Sequence, residues 1–395
     1  MKAVAASTET TADADVINRM KTAVVILNWN TEGFLRDFLP GLLRSATKVE
    51  GTEVIVADNA STDGSVALLR KEFPHVRTLI FDRNLGFTGG YNEAFRQIRK
   101  ESAPEYFLLI NSDIEVPEDW LCPLIEWMDC HPECGACAPK LHSWQNREMF
   151  EYAGAAGGYI DRLGYPFCRG RILKRVEKDR GQYDSPADVF WATGACLLVR
   201  SSVYERLGGL DERFFAQMEE IDLCWRMQLE GWKVTVVPES TVWHVGGGTL
   251  PSKSPFKLFL NFRNNLLMLE NNLAKTYALM EYSKGMSAEK AAGKGCMKAR
   301  FMILLRRDLD GFSAVVWLLS FKWKDVKAIF KAHNEYYALR RRPDREEVKE
   351  YLHKHGRMAS VNGIYRKWMV PRALLMGKEV FRHISDNDFY KIGQP

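Results

Sequence analysis

Residues 54–65 read Val54-Ile55-Val56-Ala57-Asp58-Asn59-Ala60-Ser61-Thr62-Asp63-Gly64-Ser65, an apolar, β-branched run that ends in carboxylates, amides, hydroxyls and a glycine. The run reads as a strand buried on both faces, and the polar stretch as the loop that follows it. Similar runs at 23–27, 76–81, 106–110 and 135–138 are separated by segments of helical period. This alternation predicts an α/β fold with a mostly parallel central sheet and crossover helices. In such sheets ligands bind outside the carboxyl ends of the strands, so the residues just after each run carry most weight. The first run is followed by Asn28-Trp29-Asn30-Thr31, the third by Arg83-Asn84-Leu85-Gly86-Phe87-Thr88-Gly89-Gly90, and the fourth by Asn111-Ser112-Asp113. Each has an ordinary use when taken singly: Asp63 as a helix cap, Gly86 as a turn residue, Asp113 as a loop carboxylate. Four polar strand ends gathered at one crevice point instead to a ligand site.

Length and charge bound the rest. A chain of 395 residues exceeds one ordinary core and predicts a large domain plus a second, helical unit. The net charge of +5 conceals a basic segment, 296–395, with 21 Lys and Arg against 11 Asp and Glu. Residues 1–20 include Asp13 and Asp15 and lack the apolar core of a signal peptide, so they read as a flexible leader. The longest apolar run of the basic segment, 312–321, is about half the ~20 residues that cross a bilayer as a helix. The eight cysteines, without an export signal, read as reduced thiols, which fits a cytoplasmic location or a peripheral one on the inner face of the cytoplasmic membrane. The cluster Cys130-His131-Pro132-Glu133-Cys134-Gly135-Ala136-Cys137 superficially resembles a zinc knot but lacks a partner pair; buried small hydrophobes are the better reading.

Seven motifs in order carry a resemblance: VVILNWN (24–30), VADNASTDGS (56–65), RNLGFTGGYNEA (83–94), LLINSD (108–113), WATGACLLVR (191–200), GGLDERFFAQMEEIDLCWR (208–226) and HVGGGTL (244–250). On these the chain resembles the family 2 glycosyltransferases, and among them the rhamnosyltransferase-like branch of bacterial surface-polysaccharide synthesis. The likeness runs from about residue 21 to 265. It implies an inverting GT-A domain over 21–265, followed by a basic helical region over 266–395. It also implies a nucleotide-diphosphate sugar donor, dTDP-rhamnose-like or a UDP-sugar, and a saccharide acceptor that is lipid-linked.

The resemblance assigns roles to positions. Asp58 bonds the imide of a pyrimidine base, Trp29 packs on that base, and Asp63, Asn84 and Gly86 belong to the nucleotide's surroundings. In the element Asn111-Ser112-Asp113 the first position, an amide, still suits a ribose hydroxyl, while Asp113 offers the hard anionic oxygen that Mg²⁺ or Mn²⁺ needs. His244 is the implied second metal ligand. Gly194 lets a sugar ring approach the backbone, and Asp211 faces sugar or acceptor hydroxyls or braces a turn. Transfer to an alcohol needs a base, and Glu219-Glu220-Ile221-Asp222 supplies carboxylates in the first turn of an amphipathic helix. Alignment with the family selects Glu220, with Asp222 as the other catalytic candidate.

The basic region reads about equally as an interfacial surface for an anionic membrane or as packing against the catalytic domain, with the Lys and Arg excess favouring the membrane slightly. Two rival classes are a non-catalytic sugar-binding or scaffold protein on the same fold and a sugar nucleotidyltransferase. Against the first, the metal and base positions both hold carboxylates; against the second, Asn28-Trp29-Asn30-Thr31-Glu32 replaces the expected Gly-rich basic loop. No nucleic-acid partner is expected, since the basic tail alone is weak support.

Overall fold

The computed structural model describes residues 20–247 and 254–393. The leader read at 1–20 lies outside the described residues except for Met20, as do Gly248, Thr249 and Leu250 of the last motif. Seven strands build the main sheet: β1 (Thr22–Asn28), β2 (Thr52–Asp58), β3 (Arg77–Ile80), β4 (Tyr106–Ile110), β5 (Cys134–Ser143), β6 (Cys196–Arg200) and β7 (Lys233–His244). Their order is β7-β5-β6-β4-β1-β2-β3, and the short strands Ala187–Asp188 and Ile114–Glu115 both pair with β7. The pairs β1–β2, β2–β3, β1–β4 and β5–β7 are parallel, and only β6 among the seven runs against its neighbours β4 and β5. This is the mostly parallel α/β sheet that the alternation of the sequence predicts.

Strand periodicity sorts the core. Val24, Ile26, Val54, Val56, Leu108 and Ile110 face one side, with Leu35 and Leu39 of α1 (Glu32–Ala46), Leu68 of α2 (Ser65–Glu72) and Leu124 of the helix Leu121–Cys130. Their neighbours Ala23, Val25, Ile55, Ala57, Phe107 and Leu109 face the other, against Phe95 and Ile98 of α3 (Gly86–Glu101). Burial on both faces is why these strands read as continuous apolar runs. The register sets Asn28 beside Asp58, so the polar ends of β1 and β2 emerge level.

Beyond β7, α4 (Pro255–Tyr282) runs unbroken past residue 265 and packs on the helix Glu219–Leu229. Two further long helices, α5 (Ala288–Leu319) and α6 (Trp323–Leu339), pack on α4. The region is mainly helical, yet it also holds strands. Ser360–Tyr365 pairs in parallel with Gly158–Asp161, and Phe389–Gly393 continues the same six-stranded sheet. Sequence reading did not foresee this second sheet. Cys134 and Cys137 are buried, as read, whereas Cys130 is exposed, and no cluster of three or more His, Cys, Asp or Glu suited to a metal occurs among the described residues.

Candidate active site

The ends of β1, β2 and β4 are tied into one platform. Asp58 is buried; its Oδ1 accepts from Asn28 Nδ2 at 2.8 Å and its Oδ2 from the Ser61 backbone N–H at 2.9 Å. Thr31 Oγ1 reaches Ser112 Oγ at 2.9 Å, linking the loop after β1 to that after β4. Trp29 is half-buried in the same loop. Asp63 accepts from the backbone N–H groups of Glu32 and Ser65, both at 3.0 Å, and so caps the starts of α1 and α2. Burial pushes its carboxyl up, but the bonds from Ser65 and Glu32 outweigh that and hold it below the usual aspartate range. Asn84 Oδ1 accepts from Gly86 N–H at 2.7 Å and from Asn59 Nδ2 at 3.0 Å, which ties this turn to the end of β2. Gly86 has φ +72°, and a Cβ there would sit 2.5 Å from the Phe215 ring, so only glycine fits.

Across the platform two donor atoms converge. His244 Nε2 lies 3.1 Å from Asp113 Oδ1, and the Gly246 N–H donates to Asp113 Oδ2 at 3.2 Å. Asn111 Nδ2 is 3.5 Å from the same ring nitrogen. The other nitrogen, Nδ1, faces Glu151 Oε1 at 3.6 Å. Burial lowers the His244 pKa, but Asp113 and Glu151 outweigh it and push the imidazole up to about 10. Asp113 feels the reverse balance: burial raises it, and the His244 bond brings it below the ordinary range. Glu151 was missed in the sequence, where it stands outside every motif with no periodic signal.

The acidic helix, α-helix Glu219–Leu229, starts from a contorted turn. Phe215, Gln217 and Met218 all have positive φ, at 62°, 75° and 72°. Non-glycine residues persist there only when neighbours over-determine the backbone. Asn264 Nδ2 lies within donating distance of the carbonyls of Phe214, Ala216 and Gln217 at 2.7–2.9 Å, and Arg263 Nη2 donates to Phe214 at 2.8 Å. Phe215 O accepts from the N–H groups of Phe87 and Thr88 at the start of α3. The turn therefore locks the acidic helix to both α3 and α4.

Two adjacent carboxylates emerge from it. Glu219 Oε2 and Glu220 Oε2 are buried with no hydrogen-bond partner among the described residues. Burial pushes the Glu220 carboxyl up to about 7, and burial plus the neighbouring Glu220 charge drive Glu219 well above the usual range. A Cβ on Gly194 would come within 3.5 Å of Glu220 Cβ, and the next residue, Ala195, accepts from Asn111 N–H at 2.9 Å. One short backbone step thus joins the carboxylate pair to the Asp113 end of the crevice.

The other two acids are occupied elsewhere. Asp222 is fully buried, bonded to Arg226 Nε at 2.7 Å, Asn271 Nδ2 at 2.9 Å and Asn272 Nδ2 at 2.8 Å. Asp211 accepts from Arg213 Nε at 2.9 Å and Asn271 Nδ2 at 3.1 Å. Asp211 also borders a cavity of about 840 Å³ that none of Asp58, Asp113, Glu220 or His244 lines. Asp222→Asn should lower stability by about 3 kcal/mol, because Arg226 loses a buried charge partner. A thermal melt within a degree of wild type would show the pair to be unimportant.

Residues 23–208 match the family described as Glycosyl transferase family 2. These residues are a family 2 glycosyltransferase domain. Among its relatives, the N-acetylglucosaminyl-diphospho-decaprenol L-rhamnosyltransferase of Mycobacterium tuberculosis is 28% identical over 235 residues, 56% of this chain and 75% of that protein. The dTDP-rhamnosyl transferase RfbF of Shigella flexneri is 22% identical over 262 residues, 63% and 79% of the two chains. The solved structure of GalNAc-T7 with UDP, GalNAc and Mn²⁺ aligns at TM-score 0.46 and 17% identity, over 63% of this chain and 48% of that one. With that domain the protein is a hexosyltransferase using a nucleotide-sugar donor and a saccharide acceptor, of the kind that serves polysaccharide biosynthesis. The scaffold and nucleotidyltransferase alternatives are not favoured.

Proposed function

We propose that this glycosyltransferase moves a deoxyhexose such as rhamnose from a dTDP- or UDP-linked donor to a lipid-linked saccharide, with inversion, and that Glu220 is its base. The observation that carries the reading is the Glu220 carboxylate, whose buried Oε2 has no hydrogen-bond partner among the described residues, pushed up to about 7 by burial and sitting beside Gly194 at the crevice. A base that titrates near neutrality can accept the acceptor hydroxyl's proton and still exist in its ionised form. The relatives named for decaprenol-linked and dTDP-rhamnose chemistry support the lipid-linked acceptor and the donor class.

The residues also fit a divalent cation. Asp113 Oδ1 and His244 Nε2 converge and would hold the cation once it displaces the proton that the neighbouring carboxylates keep on Nε2, with Glu151 facing the ring's other nitrogen. When bound, Mg²⁺ or Mn²⁺ would supply Lewis-acid neutralisation of the departing nucleoside diphosphate. The chain's own groups do the remainder: the Asp58, Asn84 and Trp29 surroundings hold the nucleotide, Asn111 its ribose, Gly194 gives the sugar room, and Glu220 takes the proton. Cytoplasmic placement, with contact to the membrane's inner face, follows from the acceptor proposed.

A panel of nucleotide sugars with Mn²⁺ or Mg²⁺, read by thermal shift and by donor hydrolysis, tests the donor. dTDP- or UDP-sugars should raise the melting temperature in the presence of metal, and GDP- or CMP-sugars should not. A shift confined to purine donors would overturn the pyrimidine reading.

A further inference from the structure

Helix α5 ends on an apolar stripe facing solvent. Phe312, Val315, Val316 and Leu319 recur at i, i+3, i+4 and i+7, the spacing that ordinarily turns toward a core. All four are exposed, Phe312 to 68% and Leu319 to 75%. Phe321, 81% exposed with φ +58°, and Trp323, 58% exposed, carry the patch across the turn into α6. Lys322, Lys324 and Lys327 surround the same turn, all exposed and in no ion pair among the described residues. Asp325 is the only acid between 312 and 331.

Contiguous exposed apolar surface marks an interaction site, and its rim identifies the partner. Hydrocarbon accepts Phe, Leu and Val to headgroup depth, Trp favours the interface, and lysines reach from there to lipid phosphates. A second copy across a two-fold axis would set lysines against lysines. No helix among the described residues is long and apolar enough to span a bilayer, so this turn would lie on the surface.

The patch shares its scaffold with the catalytic turn. The opposite face of α6 buries Ala328 and Ala332 against Phe259, Leu260 and Ala216, and Ala216 belongs to the contorted turn ahead of Glu220. Trp317 also meets Phe262 of α4 edge-on at 6.0 Å. We infer that the α5–α6 turn docks on an anionic lipid surface and thereby holds the Glu220 crevice at the level of the headgroups. The second half of that statement rests on the lipid-linked acceptor proposed above; the docking itself does not.

Deleting 296–395 would remove strand Ser360–Tyr365 from its sheet, so point substitutions on the full chain are the proper test. Flotation with phosphatidylcholine vesicles, with and without phosphatidylglycerol, should show binding that depends on the anionic lipid. Leu319→Glu/Phe321→Glu should cut that binding by roughly tenfold or more while leaving the melting temperature and transfer to a water-soluble saccharide unchanged. Lys322→Glu/Lys324→Glu/Lys327→Glu should abolish the preference for phosphatidylglycerol. The inference is overturned if wild-type protein fails to float, if the Leu319/Phe321 variant floats as well as wild type, or if that variant turns a dimer into a monomer. If wild type floats through this turn yet transfers nothing to a vesicle-borne lipid-linked saccharide, docking stands and the acceptor reading falls.

Discussion

Glu220→Gln is expected to slow sugar transfer by roughly 10²–10⁴, the contribution of a positioned general base, while metal-dependent donor binding stays close to wild type. Glutamine keeps the shape of the side chain and removes only its capacity to take a proton. The pH profile gives a second readout. Burial raises the Glu220 carboxyl to about 7, and the base acts in its ionised form, so wild-type turnover should climb as pH rises through about 7. The variant should lose that limb. Asp222→Asn offers the control, because its partners Arg226, Asn271 and Asn272 make it a structural carboxylate. If Glu220→Gln turns over normally at saturating acceptor while Asp222→Asn is folded and inactive, the base is Asp222.

Asp113→Asn should weaken donor binding at least as much as the ~10–100-fold that follows loss of a metal ligand's supporting partner, and should do so mainly when Mn²⁺ or Mg²⁺ is present. The amide retains an oxygen but surrenders the anionic charge a hard cation requires. In the metal-free protein it also leaves His244 with Glu151 as its remaining carboxylate neighbour. Isothermal titration of donor with and without metal separates the two effects. Equal affinity in both proteins, with metal dependence intact, would remove Asp113 from the ligand set.

The alternation of strands and helices was legible because β1, β2 and β4 are buried on both faces and carry no polar interruption. The crevice was legible because its polar residues begin where those strands stop. What could not be read was which acids remain free. Asp58, Asp211 and Asp222 carry the same functional group as Glu220, but the partners of Asp211 and Asp222 include Asn271 and, for Asp222, Asn272, far along the chain. Only folding reveals that those carboxylates are spoken for. Glu151 escaped for the opposite reason, since an irregular loop with no period brings it to His244. Phe262-Arg263-Asn264-Asn265 marked where the resemblance fades; Arg263 and Asn264 clamp the contorted turn ahead of Glu220.

The second sheet bears on how the protein is made. Ile160 has no parallel partner until Ile364 has been synthesised, an interval of roughly 10–40 s at ~5–20 residues per second. During that time the edge beside Ile160 and Asp161 lacks its ladder partner, although Gly158 is already bonded to Phe190 and Trp191, and an extended chain can pair there. Nascent protein should therefore lean on chaperones that shield strand edges, and truncation by a premature stop anywhere before Ser360 would yield a product prone to aggregate rather than a smaller working enzyme.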